Sequence, residues 1–240
     1  SVAILDLGFG CGDQTWELGR LLGLADWGRV NYVGLTLNAS QFRAAAQRCL
    51  EQQSTFTNST ISLFNADAAS WSPDIHKAVE SLADESGSER WLLALDCLYH
   101  FSPSRRPIFQ YASRKLDASI ATFDLILNGS APFHQKLITR VVGVLMGCTW
   151  RAFLTEEEYV KQLVGCGYER ERITIRDVSD DVFPGLVGYL GKQDGNLAEY
   201  GISLGSGFRL ARKVFAWFER TSVIRGVIVI ARSNSVKESP

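Results

Sequence analysis

At 240 residues the chain is long enough to bury one ordinary domain core without disulfide or metal staples. Its 25 lysines and arginines nearly balance 26 aspartates and glutamates for a net charge of −1, and Ser104-Arg105-Arg106 is too short a basic run to follow a phosphate backbone, so no nucleic-acid partner is expected. Five scattered cysteines without a Cys-x-x-Cys pair, no leader-like opening and no run near the roughly 20 apolar residues of a membrane span predict a cytoplasmic protein with reduced thiols, no metal-ligand set and no stable membrane insertion.

Ala3-Ile4-Leu5-Asp6-Leu7 reads as a first strand that runs into glycines at positions 8, 10 and 12. Glycines at such a turn permit positive φ and close backbone approach to a ligand, while the next helix offers free N–H groups to an anion. A dinucleotide fingerprint requires glycine at position 13, and Asp13 stands there instead. Asp13 can cap a helix over Gln14 to Leu24, ended near Gly23, before a second strand at Tyr32 to Thr36. Phe42, Ala45, Ala46, Cys49 and Leu50 recur at helical spacing and predict one buried helix face.

Ile61 to Phe64 is a third strand, and after a polar loop from Ala83 to Glu89 the unbroken apolar run Trp91 to Leu95 suits a fourth, covered on both faces. A helix between Arg105 and Leu116 precedes a fifth strand at Ile120 to Leu127. Ala131 to about Thr149 is apolar and only loosely periodic, a lid-like insertion of about 130–152. Thr155 caps a helix over Glu156 to Val164, and Ile173 to Ile175 is a sixth strand. Pro184 and several glycines make Asp180 to Tyr189 an irregular stretch within a second insertion of about 180–207, ahead of a helix at Leu210 to Glu219 and a β-branched strand at Val223 to Ala231. The alternation of strands and helices points to an α/β domain over 1–240 with a mainly parallel sheet.

Asp6-x-Gly8-x-Gly10-x-Gly12 resembles the first motif of the class I S-adenosylmethionine-dependent methyltransferases, in which the loop wraps the methionyl end of the cofactor. The resemblance implies a Rossmann-like, seven-stranded, mostly parallel sheet with helices on both faces, its antiparallel last strand lying beside the sixth. It also implies helices ahead of the first strand, which this chain would then lack. Most class I enzymes place an acid after the second strand, where this chain has Thr36. Gly34-x-Thr36-x-Asn38-x-x-Gln41 is similar instead to the branch of cyclopropane fatty acid synthases and tocopherol, sterol and sugar methyltransferases. By that resemblance Thr36, Asn38 and Gln41 surround ribose and adenine, although Asn38 and Gln41 also have the spacing of a capping box. Asp67 would accept from the adenine amino group and Ala68 would offer its N–H; a plain turn role for Asp67 stays open.

Leu95-Asp96-Cys97-Leu98-Tyr99-His100-Phe101 closes the fourth strand, at the end where open α/β sheets bind ligands, with Asp96 on the cofactor side. His100 is either a base or orienting group for the acceptor or a structural histidine, and Asp124, at the carboxyl end of the fifth strand, either orients His100 or takes the proton itself, or is a cap or salt-bridge residue. Tyr99, Phe9 and Trp16 could face a sulfonium or simply pack. The function so implied is methyl transfer from S-adenosyl-L-methionine, leaving S-adenosyl-L-homocysteine, to a small lipophilic or aromatic acceptor. O-methylation is favoured from His100 and Asp124. Carbon methylation of a ring or alkene, or a non-catalytic cofactor-binding partner subunit, is the alternative. The apolar insertions suit an acceptor pocket or a homodimer contact.

Overall fold

All six side chains of Val2–Leu7 (β1) are buried, as a strand covered on both faces requires. In the computed structural model, which describes residues 1–24, 29–51, 59–84 and 88–235, β1 is an interior strand of a seven-stranded sheet, paired on both sides. The chain continues through α1 (Asp13–Leu24), β2 (Val30–Thr36), α2 (Ala39–Glu51), β3 (Ser59–Asn65), α3 (Pro73–Asp84), β4 (Glu89–Leu95) and α4 (Arg106–Tyr111). Then come β5 (Ser119–Leu127), α5 (Phe133–Leu145), α6 (Glu156–Cys166), β6 (Ile173–Asp177), α7 (Ser179–Ala198), α8 (Ser206–Thr221) and β7 (Ile224–Ala231). The order across the sheet is β3-β2-β1-β4-β5-β7-β6, with β7 antiparallel to both β5 and β6. The sheet is thus mostly parallel with an antiparallel last strand beside the sixth.

Alternation along β1 sends its side chains to two cores. Ala3, Leu5 and Leu7 join Ile75, Val79 and Leu82 of α3, Phe109 of α4 and Tyr159 and Leu163 of α6. Val2 and Ile4 face the other way, against Tyr32 and the Leu18 and Leu22 of α1. A third cluster joins Leu125 and Leu127 of β5 to Phe183 of α7 and to Val214 and Phe218 of α8. The chain order reverses between β2 and β4, the two neighbours of β1, so a crevice opens beyond the carboxyl ends of these strands.

Several elements differ from the sequence expectation for identifiable reasons. Of the expected α2 face only Ala45 is fully buried, and Leu50 is 72% exposed. In β4 only Leu92 and Ala94 are fully covered. Of the polar loop expected at 83–89, residues 83 and 84 end α3 and 85–87 lie outside the described residues. The loosely periodic stretch after β5 contains a regular helix, α5, whose buried side is made by Thr139 and Gly143. A Cβ on Gly143 would fall 2.6 Å from the Phe153 ring, while Phe133, Leu137, Val141 and Leu145 face outward. Apolar periodicity therefore marks the wrong side. The stretch around Pro184, expected to be irregular, lies inside the 20-residue α7. Asp177, the last residue of β6, accepts through Oδ1 from the Ser179 N–H at 2.9 Å, and Phe183 packs on Phe215 and Phe218 of α8, so tertiary packing overrides poor local propensity. Before β5 the non-glycine Asp117 takes the left-handed conformation (φ 49°). Among the described residues no helix is long and apolar enough to cross a membrane.

Candidate functional site

The loop after β1 turns on three left-handed glycines, Gly8 (φ 76°), Gly10 (61°) and Gly12 (85°). Each has a different neighbour. A Cβ on Gly8 would lie 3.0 Å from Cys97 Cβ, and one on Gly12 would lie 3.0 Å from Ala45 Cβ, while Gly10 has nothing within 4 Å. Gly8 and Gly12 therefore let the loop close against β4 and α2, and Gly10 looks into open space. That space is a cavity of about 460 Å³, within the range of small-ligand sites.

The loops following four adjacent strands wall this cavity. Gly8 and Gly10 come from β1; Thr36, Asn38 and Gln41 from β2; Asp67 and Ala68 from β3; Asp96 and His100 from β4. Asn38 caps α2, its Oδ1 accepting from the N–H groups of Ser40 at 2.9 Å and Gln41 at 3.1 Å. The Gln41 carboxamide oxygen accepts from the Thr36 hydroxyl at 3.3 Å, which ties the strand end to the helix start. Asp67 Oδ1 accepts from the Ala69 N–H at 2.8 Å, and the Trp71 indole donates to the Ala68 carbonyl at 2.9 Å.

Asp6 lies beneath the loop and is fully buried. Its Oδ2 accepts from the Tyr32 hydroxyl at 2.5 Å and from Gln14 Nε2 at 2.6 Å, whereas its Oδ1 has no hydrogen-bond partner among the described residues. Burial pushes its pKa up to about 6, against the opposing pull of Tyr32 and Gln14. Tyr32 is legible in the sequence only as the start of the second strand, not as a site residue. Only the parallel register, Ile4 beside Tyr32 and Asp6 beside Gly34, brings its ring under the carboxylate.

At the other end of the cavity Asp96 takes a left-handed conformation (φ 63°) and accepts from the Tyr99 hydroxyl at 2.8 Å. Desolvation raises the pKa of Asp96, with Tyr99 and then His100 opposing it. Burial and then Asp96 raise that of Tyr99, so the phenol keeps its proton. The Tyr99 and His100 rings lie 4.5 Å apart. Nδ1 of the exposed His100 faces the Cys148 thiol at 3.8 Å, and the Cys97 thiol donates to the Leu7 carbonyl at 3.2 Å. Tyr99 and Cys148 belong to the apolar cluster of β5, α7 and α8, so His100 stands between that cluster and the cavity.

Four of the site residues read from the sequence do not line this cavity: Asp6 and Gly12, placed above, and Tyr99 and Asp124. Tyr99 reaches it through Asp96. Asp124 is fully buried elsewhere. Its Oδ2 is ion-paired with the Arg105 guanidinium and accepts from the Tyr159 hydroxyl at 3.0 Å, while Oδ1 accepts from the Leu125 N–H at 2.8 Å. Arg105 also donates to the Ala152 carbonyl. Burial lowers the Arg105 pKa, but Asp124 and Tyr159 outweigh it and the cation is retained. Among the described residues the partners of Asp124 are thus Arg105, Tyr159 and the Leu125 N–H, and His100 is not one of them. Of the aromatic candidates, Phe9 is buried and would meet a Cβ on Gly34 at 2.8 Å, as a packing residue does.

The fold is similar to those of solved S-adenosylmethionine-dependent methyltransferases. Phosphoethanolamine N-methyltransferase 2 of Haemonchus contortus, solved with phosphomonomethylethanolamine and S-adenosylhomocysteine, superposes with a TM-score of 0.68 at 12% identity over 97% of this chain. The chain spans about half (49%) of that protein's length. A geranyl diphosphate C-methyltransferase of Streptomyces coelicolor A3(2), solved with Mg2+, geranyl diphosphate and S-adenosyl-L-homocysteine, gives 0.61 at 17% identity over 97% of this chain and 74% of its own. A cyclopropane synthase of Mycobacterium tuberculosis gives 0.67 at 16% over 97% and 78%. At these identities the likeness is one of fold. No protein-family model and no curated protein matches the sequence.

Proposed function

We propose that this chain binds S-adenosylmethionine in the cavity beyond β1 to β4 and transfers its methyl group to a small apolar acceptor. The observation that carries the reading is the convergence of four strand-end motifs on one cavity, with Gly10 open to it. The residues present fit the cofactor. The unpartnered Oδ1 of Asp6, buried beneath the glycine loop, leaves a negative charge that favours a cationic group in the cavity beside that loop, and Thr36, Asn38 and Gln41 offer polar atoms to a ribose. Asp67 and the Ala68 N–H suit the two edges of adenine, where an unmet donor or acceptor is costly.

When bound, S-adenosylmethionine supplies a methyl group activated by its sulfonium. The protein contributes mainly orientation, worth several kcal/mol when reacting atoms are held in line. For a hydroxyl acceptor, His100 takes the proton at Nε2, its Nδ1 being turned to Cys148. Tyr99, held by Asp96, forms an apolar wall beside it. Carbon methylation is the second reading. Asp124, one of the two groups that favour a hydroxyl acceptor, is engaged by Arg105 and Tyr159, which leaves His100 alone in that role.

Titration calorimetry with S-adenosylhomocysteine tests the cofactor reading. Binding in the micromolar range is expected, and no heat from folded protein would overturn it. Labelled methyl donor offered with phenolic and with alkene acceptors then separates oxygen from carbon transfer. Binding without turnover on any acceptor would favour a non-catalytic subunit.

A further inference from the structure

The cavity does not end at its adenine wall. Ala68, Ala69, Phe101 and Ser102 also border a second groove of about 390 Å³ that lies beside the first. Its far side is aromatic. Trp71, from the loop between β3 and α3, meets Tyr111, the last residue of α4, edge to face with ring centroids 4.8 Å apart. His76 of α3 meets the same indole at 5.3 Å. Pro107 and Ile108 of α4 complete the groove. Because the Trp71 indole donates to the Ala68 carbonyl, the residue proposed to read the base and the aromatic wall behind it form one hydrogen-bonded unit.

Aromatic walls over an open apolar groove favour a flat apolar occupant, which gains both area and ring–ring geometry. We infer that the nucleoside site accepts adenines enlarged on the 6-amino group by a flat apolar substituent, which lies in the groove walled by Trp71 and Tyr111. The inference rests on the proposed cofactor reading, which sets the amino edge of adenine against Asp67 and Ala68. A singly substituted 6-amino group keeps one N–H to donate to the Asp67 carboxylate, so enlargement does not leave that acceptor unmet.

The test compares S-adenosylhomocysteine with its N6-benzyl derivative by titration calorimetry on the full chain. The two are expected to bind within about threefold of one another. Tyr111→Ala removes a wall of the groove and does not border the cofactor cavity, so it should weaken the benzyl ligand by about fivefold and the parent by less than twofold. His76→Ala, at an exposed position, repeats the comparison if Tyr111→Ala does not fold. Parent binding with the benzyl ligand more than 50-fold weaker overturns the inference and leaves the cofactor reading standing. Equal losses of both ligands in the wall variants overturn it as well. If neither ligand binds the folded protein, the cofactor reading fails and takes the inference with it.

Discussion

Asp6→Asn is the sharpest test of the site, because it separates what the carboxylate costs the fold from what it does for a ligand. Burial raises the Asp6 pKa from 3.8 to about 6, so between these values the folded chain holds a proton that the unfolded chain has released. The stability associated with the neutral form is fully present below about pH 3.8 and is lost as pH rises through 6. The shift corresponds to about 3 kcal/mol. Asparagine keeps an oxygen for Tyr32 and Gln14 and carries no charge, so this component is absent from the variant. Other titrating groups cancel in the difference between variant and wild type. Urea unfolding at pH 4, 5, 6 and 7 should therefore show the variant gaining about 2 kcal/mol on wild type across the range, just under about 1 M in midpoint. A difference that stays constant with pH would refute the picture of a desolvated, ionising Asp6. Ligand binding should show the reverse sign. Wild-type affinity for S-adenosylhomocysteine should fall about tenfold per unit below pH 6, as the proton competes with the ligand's cation, and the variant should lack that slope.

Three further outcomes follow from the geometry. Gly10→Ala meets no neighbour, so it should cost the unliganded fold only the left-handed penalty of about 1–2 kcal/mol, while lowering cofactor affinity at least tenfold in calorimetry. Equal affinity would mean that the loop does not face the ligand. Asp124→Asn leaves the buried Arg105 guanidinium without its counter-charge and should destabilise the chain by about 3–5 kcal/mol in chemical unfolding. Normal stability with an altered pH profile of turnover would restore Asp124 to proton transfer. His100→Ala should lower turnover on a hydroxyl acceptor about 100-fold at saturating cofactor, with partial rescue by added imidazole. Unchanged turnover would remove it from the chemistry.

The features legible in the chain were those whose cause is local. The loop after β1 needs left-handed residues at positions 8, 10 and 12, and only glycine takes that conformation without strain, so its spacing could be read directly. The start of α6 was equally plain: Thr155 and Glu158 complete a capping box within four residues. The mostly parallel sheet with an antiparallel last strand beside the sixth followed from alternating strands and helices together with the family resemblance. α5 and α7 escaped because their packing surfaces break the usual rules. One buries Thr139 and Gly143 while exposing leucines and valines, and the other carries Pro184 and is held by aromatic rings of α8.

For the site, sequence alone determined which residues stand at strand ends, and hence that Thr36, Asp67, Asp96 and His100 would meet the glycine loop at one cavity. It left the state of each charge undetermined. Asp6 and Asp124 both follow apolar strand residues and read alike as acids near a site. Tertiary packing separated them, placing an uncharged phenol and an amide beside one, and a guanidinium beside the other. Backbone conformation and capping are set within a few residues, whereas the energy of a buried charge depends on whatever distant segments bring to it.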